Sequence, residues 1–245
     1  MKFVILFLLL GLYWPLNAQQ SAQSVEWPAY GNDAGGMRFS PLTQINSSNV
    51  KQLILAWTFR TGELEQYKGT NAHEKAAFEA TPVMVDGTLF FSTPTSRVFA
   101  IDAATGQKKW AYDPDVYLRQ ELSEITSRGV SIWPAPGDKR ASSTAPKRVF
   151  VATIDGRLIA LDALTGKPVA TFGKAGSVDL RQGVGQISVT SPPAIIGNTV
   201  VVGSSMGDNQ RFNYERGVVR AYDALNRGFA LGLGPHPPYE NGCRF

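Results

Sequence analysis

The chain has 245 residues, of which 43% are hydrophobic and 18% charged, a composition that supports a buried core and excludes a disordered chain or a coiled coil. Its 24 glycines and 15 prolines separate short runs rich in valine, isoleucine, phenylalanine and threonine, which predicts a mainly β protein. The net charge of +4 is spread along the chain, so we expect no nucleic-acid partner, and the single cysteine, Cys243, excludes a disulfide framework or a cysteine-based zinc site.

Residues 1–18 predict a secretory signal peptide. An apolar run at residues 3–12 is shorter than the roughly 20 residues that a membrane-spanning helix needs. Pro15 ends the run, and Ala18 offers a small residue for cleavage. An uncleaved membrane anchor is the alternative. In either case we expect the folded part to begin near Glu26 and to work outside the cytoplasm.

A short motif recurs three times at nearly constant spacing. The sequence Ala-x-Asp-Ala-x-Thr-Gly stands at residues 100–106 and 160–166, and it begins again as Ala-x-Asp-Ala at residues 221–224. Its aspartate therefore recurs after 60 and then 61 residues (162 − 102 and 223 − 162). A fixed period of this length is typical of repeat architectures.

Alternating apolar runs precede the first and third copies, at residues 81–92 and 193–203. Each run contains a pair that favours a two-residue hairpin turn, Asp-Gly at 86–87 and Gly-Asn at 197–198. Each unit is thus predicted to be a small antiparallel sheet: a hairpin, a strand ending in Ala-x-Asp, a Thr-Gly turn and a last strand, which carries Trp110 in the first unit. Such repeated sheets indicate a β-propeller.

The sequence Ala-x-Asp-x-x-Thr-Gly-x-x-x-Trp at residues 100–110 resembles the tryptophan-docking motif of the quinoprotein dehydrogenases, which are eight-bladed propellers that use pyrroloquinoline quinone. Residues 27–46 resemble the start of the mature enzymes. The similarity runs from Glu26 to Leu225 and implies an all-β propeller of which this chain holds about three or four blades. Ala170 stands where the second docking tryptophan would be, so we expect one blade-to-blade contact to differ.

The repeat stops at Asn226, where Thr-Gly is due. Codons compatible with residues 226–245, read from the second base of the Asn226 codon, can restore Thr-Gly and a tryptophan eight residues after Asp223, the spacing of Asp102 to Trp110. A frameshift explains the break, and a disordered tail is the alternative. We therefore expect residues 226–245 to be an aberrant tail and the chain as written to be a truncated, poorly stable and inactive remnant.

Two charged residues are candidates for holding the quinone. Glu79 precedes Ala-Thr-Pro, and the resemblance to the family's Glu-x-Thr-Pro motif implies a cofactor contact; a solvated strand-entry residue is the alternative. Arg128 offers a planar fork for carboxylate or quinone oxygens, and Gly129 lets the backbone approach a flat ligand. The resemblance places this Arg-Gly pair against the polar edge of the cofactor, and a surface arginine is the alternative.

A third group of candidates surrounds a small-residue segment at 203–207. Such residues suit a backbone that approaches a planar ring, although a plain inter-strand loop is the alternative. The family's Thr-x-x-Pro and Gly-Ser-Ser segments bind the quinone, which implies cofactor contacts by Thr190, Ser205, Met206 and Gly207. An acid three positions after the serine helps to hold calcium in the family, which implies Asp208 as a ligand for Ca²⁺ or Mg²⁺.

The resemblance implies a periplasmic dehydrogenase that oxidises a sugar, polyol or cyclic hydroxy acid and passes electrons to membrane quinone or a cytochrome. Alcohol-oxidising members carry an adjacent cysteine pair just upstream of the Arg-Gly pair, and this chain has Leu122 and Ser123 in that neighbourhood, which favours the glucose, quinate and shikimate branch. Trp133 stands where the membrane glucose enzymes have a histidine. The catalytic aspartate of the family is expected beyond Leu225. The alternative is a non-enzymatic propeller scaffold of the outer-membrane assembly type.

The gene itself tests the proposed frameshift. After correction of one base near codon 226, we expect the reading frame to encode further Ala-x-Asp-x-x-Thr-Gly units about 60 residues apart. Sequencing of the locus beyond codon 225 provides the measurement. A stop codon soon after the corrected position, with no further unit, would contradict the frameshift.

Overall fold

Short strands joined by turns and loops form nearly all of the regular structure in the computed structural model, which describes residues 25–33, 35–118, 122, 124–134, 147–205, 217–225 and 229–233. Helix α1 spans Glu63–Gln66, and single 3-10 turns span Val50–Gln52 and Ala72–Glu74. The strands are β1 (Ala76–Ala77), β2 (Val83–Val85), β3 (Thr88–Ser92), β4 (Val98–Asp102), β5 (Lys108–Tyr112), β6 (Ile125–Thr126), β7 (Ser131–Pro134), β8 (Lys147–Ala152), β9 (Arg157–Asp162), β10 (Ser177–Asp179), β11 (Ala194–Ile196), β12 (Thr199–Gly203), β13 (Val219–Asp223) and β14 (Phe229–Leu233).

Twelve of these strands form three four-stranded antiparallel sheets. The first blade has the order β2-β3-β4-β5, the second β10-β9-β8-β7 and the third β11-β12-β13-β14, so each blade is a meander of consecutive strands. The predicted all-β propeller class is confirmed. Within the residues that the structure describes, no helix has the length and apolar character needed to cross a membrane.

The predicted turns form as their residue types require. Asp86 and Gly87 both have positive φ, 49° and 63°, and they join β2 to β3 in a two-residue hairpin. Gly197 has a φ of 58° at the corresponding hairpin of the third blade. After β4, one carboxylate oxygen of Asp102 accepts the backbone N–H and the hydroxyl of Thr105, and these hydrogen bonds hold the pKa of Asp102 below its ordinary value.

Consecutive units are joined by an indole ring seated on the next Thr-Gly turn. The Trp110 indole N–H donates to the Ala163 carbonyl over 3.0 Å, and a Cβ on Gly166 would lie 2.6 Å from the indole ring. Trp57, ahead of the first blade, repeats the arrangement on the turn at Gly106, where a Cβ would lie 2.5 Å from its ring. Glycine is therefore the residue that allows the indole ring of the preceding unit to dock on this turn.

The second blade departs from this pattern, as the sequence predicts at Ala170. Ala170 lies in a run of turns, and the fourth strand of the blade, β10, begins only at Ser177. In the third blade Leu231 of β14 pairs with Ala221, which is the same register as the pairing of Trp110 with Ala100 in the first blade. Strand β14 lies in the segment assigned from sequence to an aberrant tail, and the rest of that segment and the signal peptide lie outside the described residues.

Two apolar layers fill the spaces between blades. Trp110 and Val149 belong to the layer between the first and second blades, while Phe150, Phe172 and Val200 belong to the layer between the second and third. The outer flank of the first blade instead opens into a cavity of about 810 Å³, which includes Phe78 in its lining. The side chain of Phe78 is 55% exposed, so this flank keeps apolar surface in contact with solvent.

Substitution of the docking glycine tests whether the indole contact holds the blades. Gly166→Ala would place a methyl group against the Trp110 ring at a backbone φ of 70°, and we expect a loss of about 2–4 kcal/mol in the free energy of unfolding. Gly87→Ala is the matched control, since its φ is 63° but open space surrounds its Cβ position; we expect a loss of about 1 kcal/mol. Urea unfolding measures both, and equal losses would show that the indole does not select the glycine.

Candidate functional site

A short parallel strand pair brings Glu79 and Arg128 together. Strands β1 and β6 pair in parallel, with Ala76 opposite Ile125 and Ala77 opposite Thr126. The same register, continued by two residues, sets Glu79 beside Arg128. The Arg128 Nε and the Glu79 Oε2 are 2.9 Å apart. Two candidate residues that are distant in sequence thus form an ion pair at the entrance to the first and second blades.

The backbone of Arg128 is held by both neighbouring blades. Its N–H donates to the Thr190 carbonyl over 2.7 Å, and its carbonyl accepts from the Thr81 N–H over 3.1 Å. Its Nη1 donates to the Thr190 hydroxyl over 2.6 Å. Thr81 leads into the first blade and Thr190 into the third, so all three blades meet at Arg128. The sequence-predicted residues Glu79, Arg128 and Thr190 therefore lie in one cluster.

The guanidinium group in this cluster remains accessible. The Arg128 side chain is 34% exposed and that of Glu79 is 45% exposed, whereas Thr190 is buried. A second carboxylate, Glu124, lies with Oε2 3.9 Å from Arg128 Nη2. An exposed ion pair contributes at most about 1 kcal/mol, so these carboxylates orient the guanidinium more than they stabilise the fold. Sequence analysis missed Glu124, because a spacing of four residues indicates a contact only on a helix and this segment is not helical.

Gly129 is required here by packing against the first blade. Its φ is 144°, and a Cβ at this position would lie 3.1 Å from the Thr81 carbonyl oxygen and 3.9 Å from the Pro192 side chain. The sequence-based explanation was the close approach of a flat ligand. The structure provides a second explanation for Gly129, because its missing side chain lets the Arg128 segment fit between the first and third blades.

Ser205 lies beside the strand segment that carries Thr190. Ser205 and Ser188 form an isolated antiparallel bridge, in which the Ser205 N–H donates to the Ser188 carbonyl over 2.7 Å. Ser188 precedes Thr190 by two residues, so Ser205 is one strand away from the Arg128 cluster. Met206, Gly207 and Asp208, the remaining predicted contacts, lie outside the described residues. Within the part of the chain that is described, no three metal-ligating side chains come together.

Buried polar contacts link the blades at this same end. The hydroxyl groups of Ser92 and Ser127 are 2.7 Å apart, which ties the end of β3 to the segment just before Arg128. The Ile154 N–H donates to the Ser96 hydroxyl over 3.2 Å, so the β8–β9 turn is tied to the β3–β4 turn. These serines carried no signal in the sequence, because small polar residues are common in any turn.

Two arginines form a repeated interblade contact that sequence analysis also missed. Arg97 Nη1 donates to the Thr61 carbonyl over 3.2 Å, and Arg157 Nη2 donates to the Pro114 carbonyl over 2.8 Å. Each carbonyl belongs to the residue four positions after a docking tryptophan (57 + 4 and 110 + 4). The available signal was an arginine five residues before the aspartate in both complete copies of the repeat.

The cluster can bind an anionic, planar group. A guanidinium presents paired N–H donors that match carboxylate or quinone oxygens, and charge-assisted hydrogen bonds of this type are among the strongest in proteins. Thr190 can contribute a hydroxyl to the same ligand. The exposure of Arg128 leaves this donor surface open to a ligand, while its backbone is fixed on both sides.

Known proteins match the same stretch of chain. The family model "PQQ: Glucose/ethanol/alcohol dehydrogenase, beta-propeller domain" matches residues 27–227. The chain is 39% identical over 221 residues to quinoprotein glucose dehydrogenase A of Acinetobacter calcoaceticus, covering 84% of this chain and 27% of that protein. It is 37% identical over 239 residues to the quinate/shikimate dehydrogenase (quinone) of Acinetobacter baylyi, covering 89% and 29%. The crystal structure of quinohemoprotein alcohol dehydrogenase from Comamonas testosteroni superposes with a TM-score of 0.66 at 32% identity, over 88% of this chain and 29% of that one.

The Thr190 hydroxyl gives a direct test of the cluster. Thr190→Val keeps the side-chain shape but removes the acceptor of the Arg128 Nη1 hydrogen bond, and we expect it to lower the free energy of unfolding by about 1–2 kcal/mol. Thr190→Ser keeps the hydroxyl, so we expect a smaller decrease in its free energy of unfolding. Urea unfolding of both variants measures the difference. A larger loss for the serine variant would show that packing of the methyl group, and not the hydrogen bond, holds this position.

Proposed function

The chain belongs to the PQQ β-propeller family of glucose, ethanol and alcohol dehydrogenases, and from that premise we propose that it supplies part of the quinone-binding site of a PQQ-dependent dehydrogenase. The chain spans only 27–29% of the length of the two curated relatives described above. The observation that carries the proposal is the cluster of Glu79, Arg128 and Thr190.

The donor set of this cluster fits the quinone. Pyrroloquinoline quinone is flat and carries carboxylate groups, and Arg128 offers a charged planar fork with an accessible edge. Thr190 adds a hydroxyl, and Glu79 adds a carboxylate that can accept from a protonated group of the ligand. When bound, the quinone supplies the chemistry, since it accepts two electrons from the CH–OH group of a substrate. The residues of this chain bind and orient it.

The proposed substrate is a sugar, polyol or cyclic hydroxy acid. The names of the two curated relatives, a glucose dehydrogenase and a quinate/shikimate dehydrogenase, support this class. Leu122 supports it as well, because it is buried in a cluster with Ile125 and Ile154, in the neighbourhood where the alcohol-oxidising branch carries a cysteine pair. In this chain apolar packing, and not a disulfide ring, holds the segment that leads to Arg128.

The remaining features of the enzyme follow from the family and extend the proposal. Asp208 would help to hold Ca²⁺ or Mg²⁺ beside the quinone, and Ser205, Met206 and Gly207 would contact the cofactor. The protein would work in the periplasm and pass electrons to membrane quinone or a cytochrome. A non-enzymatic scaffold is the rival, and the accessible Arg128 cluster supports the enzyme because a scaffold does not need an open guanidinium between three blades.

Quinone binding by the 245-residue chain tests the proposal. Arg128→Ala and Glu79→Gln should each weaken the binding of pyrroloquinoline quinone by about 1.5–3 kcal/mol, because each removes a charge-assisted hydrogen bond. Glu74→Gln, a change at another exposed acid nearby, is the control and should leave the affinity unchanged. Titration with the quinone in the presence of calcium, followed by tryptophan fluorescence, gives the dissociation constants. Unchanged affinity in both test variants, or no binding by the wild type, would contradict the proposed quinone site.

A further inference from the structure

The same carbonyl group occurs at an interblade contact in all three repeats, but its donor changes. Ala103, Ala163 and Ala224 each follow the aspartate of the repeat. The Ala103 and Ala163 carbonyls accept an indole N–H from the preceding unit, over 3.3 and 3.0 Å. The Ala224 carbonyl accepts instead from Arg148 Nη1, which also donates to the Leu225 carbonyl over 3.1 Å.

Arg148 lies in β8 of the second blade, against the Trp133 ring, and reaches from there to the third blade. It stands directly opposite Trp133 in the β7–β8 pairing, and its guanidinium carbon lies 5.5 Å from the centre of the Trp133 ring. Trp133 is 1% exposed and donates its own indole N–H to the Asn198 side chain of the third blade over 3.3 Å. Burial lowers the pKa of the Arg148 guanidinium, and the nearby Asp223 carboxylate opposes that shift.

We infer that Arg148, stacked on Trp133, replaces the docking tryptophan that the second blade lacks and acts as a positioning residue for the third-blade half of the quinone site. The last part of this inference rests on the proposed function. Two carbonyl acceptors and the Trp133 ring face compensate for removing the Arg148 charge from water. The guanidinium can therefore donate to the carbonyl that accepts from an indole in the other repeats.

Arg148 and Arg128 contact opposite ends of the third blade, so the loss of Arg148 is expected to affect the candidate site. At the site end Arg128 holds Thr190, and Ser131 donates to the Pro193 carbonyl. Arg148 binds the opposite end, beside the turn that contains Asn198. Without it, the third blade keeps its contacts at Arg128 and the bond from Arg220 to the Leu180 carbonyl, but it loses the charged contact at the opposite end. Ser205, which is bridged to Ser188 one strand away from Thr190, would then shift relative to the guanidinium of Arg128.

Local hydrogen exchange separates positioning from general stability. Arg148→Met keeps the aliphatic stem and removes the donors, and we expect amide exchange in β12 and β13 to quicken about tenfold while exchange in β3 and β4 stays at the wild-type rate. Arg148→Lys keeps the charge and one donor direction, so its exchange rates in β12 and β13 should lie between those of the wild type and of Arg148→Met. Arg181→Met is the matched control, because Arg181 pairs with Asp179 at the end of β10, within the second blade. Exchange is followed by mass spectrometry on the 245-residue chain.

Titration with pyrroloquinoline quinone is the second measurement. We expect Arg148→Met to weaken quinone binding several-fold and Arg148→Lys to restore part of it. Equal quickening of exchange in all three blades, or none in the third, would overturn the inference. Faster exchange in the third blade with unchanged quinone affinity would show that Arg148 is an interface contact only, and it would overturn the positioning role. If the wild-type chain binds no quinone, the proposed function fails, while the exchange pattern still decides the role of Arg148 at the interface.

Discussion

The contact of an indole ring with a glycine of the following repeat is the constraint on which the arrangement of blades depends. The Trp110 ring fills the volume that a Cβ on Gly166 would occupy, and its N–H satisfies the Ala163 carbonyl. A flat ring seated on a turn leaves little freedom for the next sheet to slide or rotate. Because the same contact occurs at Trp57 and Gly106, it sets the repeat of the fold and hence the place where the inner ends of the blades converge.

The second-to-third interface meets the same requirement with different chemistry. Arg148 and Trp133 occupy it, and the arginine must lose part of its hydration to reach the Ala224 carbonyl. Two carbonyl oxygens and the ring face compensate for that loss. Interblade contacts in this fold therefore constrain the acceptor more than the donor: the carbonyl after the aspartate must be satisfied, and either an indole or a guanidinium can do so.

Backbone hydrogen bonds, more than side-chain ion pairs, place the candidate site. Arg128 is held through its N–H by Thr190 and through its carbonyl by Thr81, so its position follows from the first and third blades together. The Arg128 side chain donates to the Thr190 hydroxyl and pairs with Glu79, and it still keeps a third of its surface exposed to a ligand. A backbone held on both sides, with an accessible charged group, suits the proposed binding of a carboxylated quinone.

The sequence by itself determined the repeated unit, its hairpins and its Asp-x-x-Thr-Gly turns, because the hydrogen bonds that form them join residues at most a few positions apart, as Asp102 does with Thr105. It also identified Glu79, Arg128 and Thr190 through the family resemblance. Only the tertiary structure decided that Arg128 contacts both Glu79 and Thr190, and that Arg148 reaches Ala224, since these contacts depend on parallel pairing and on packing between sheets. No local spacing encodes such contacts, because they join segments whose separation is set by the path of whole blades.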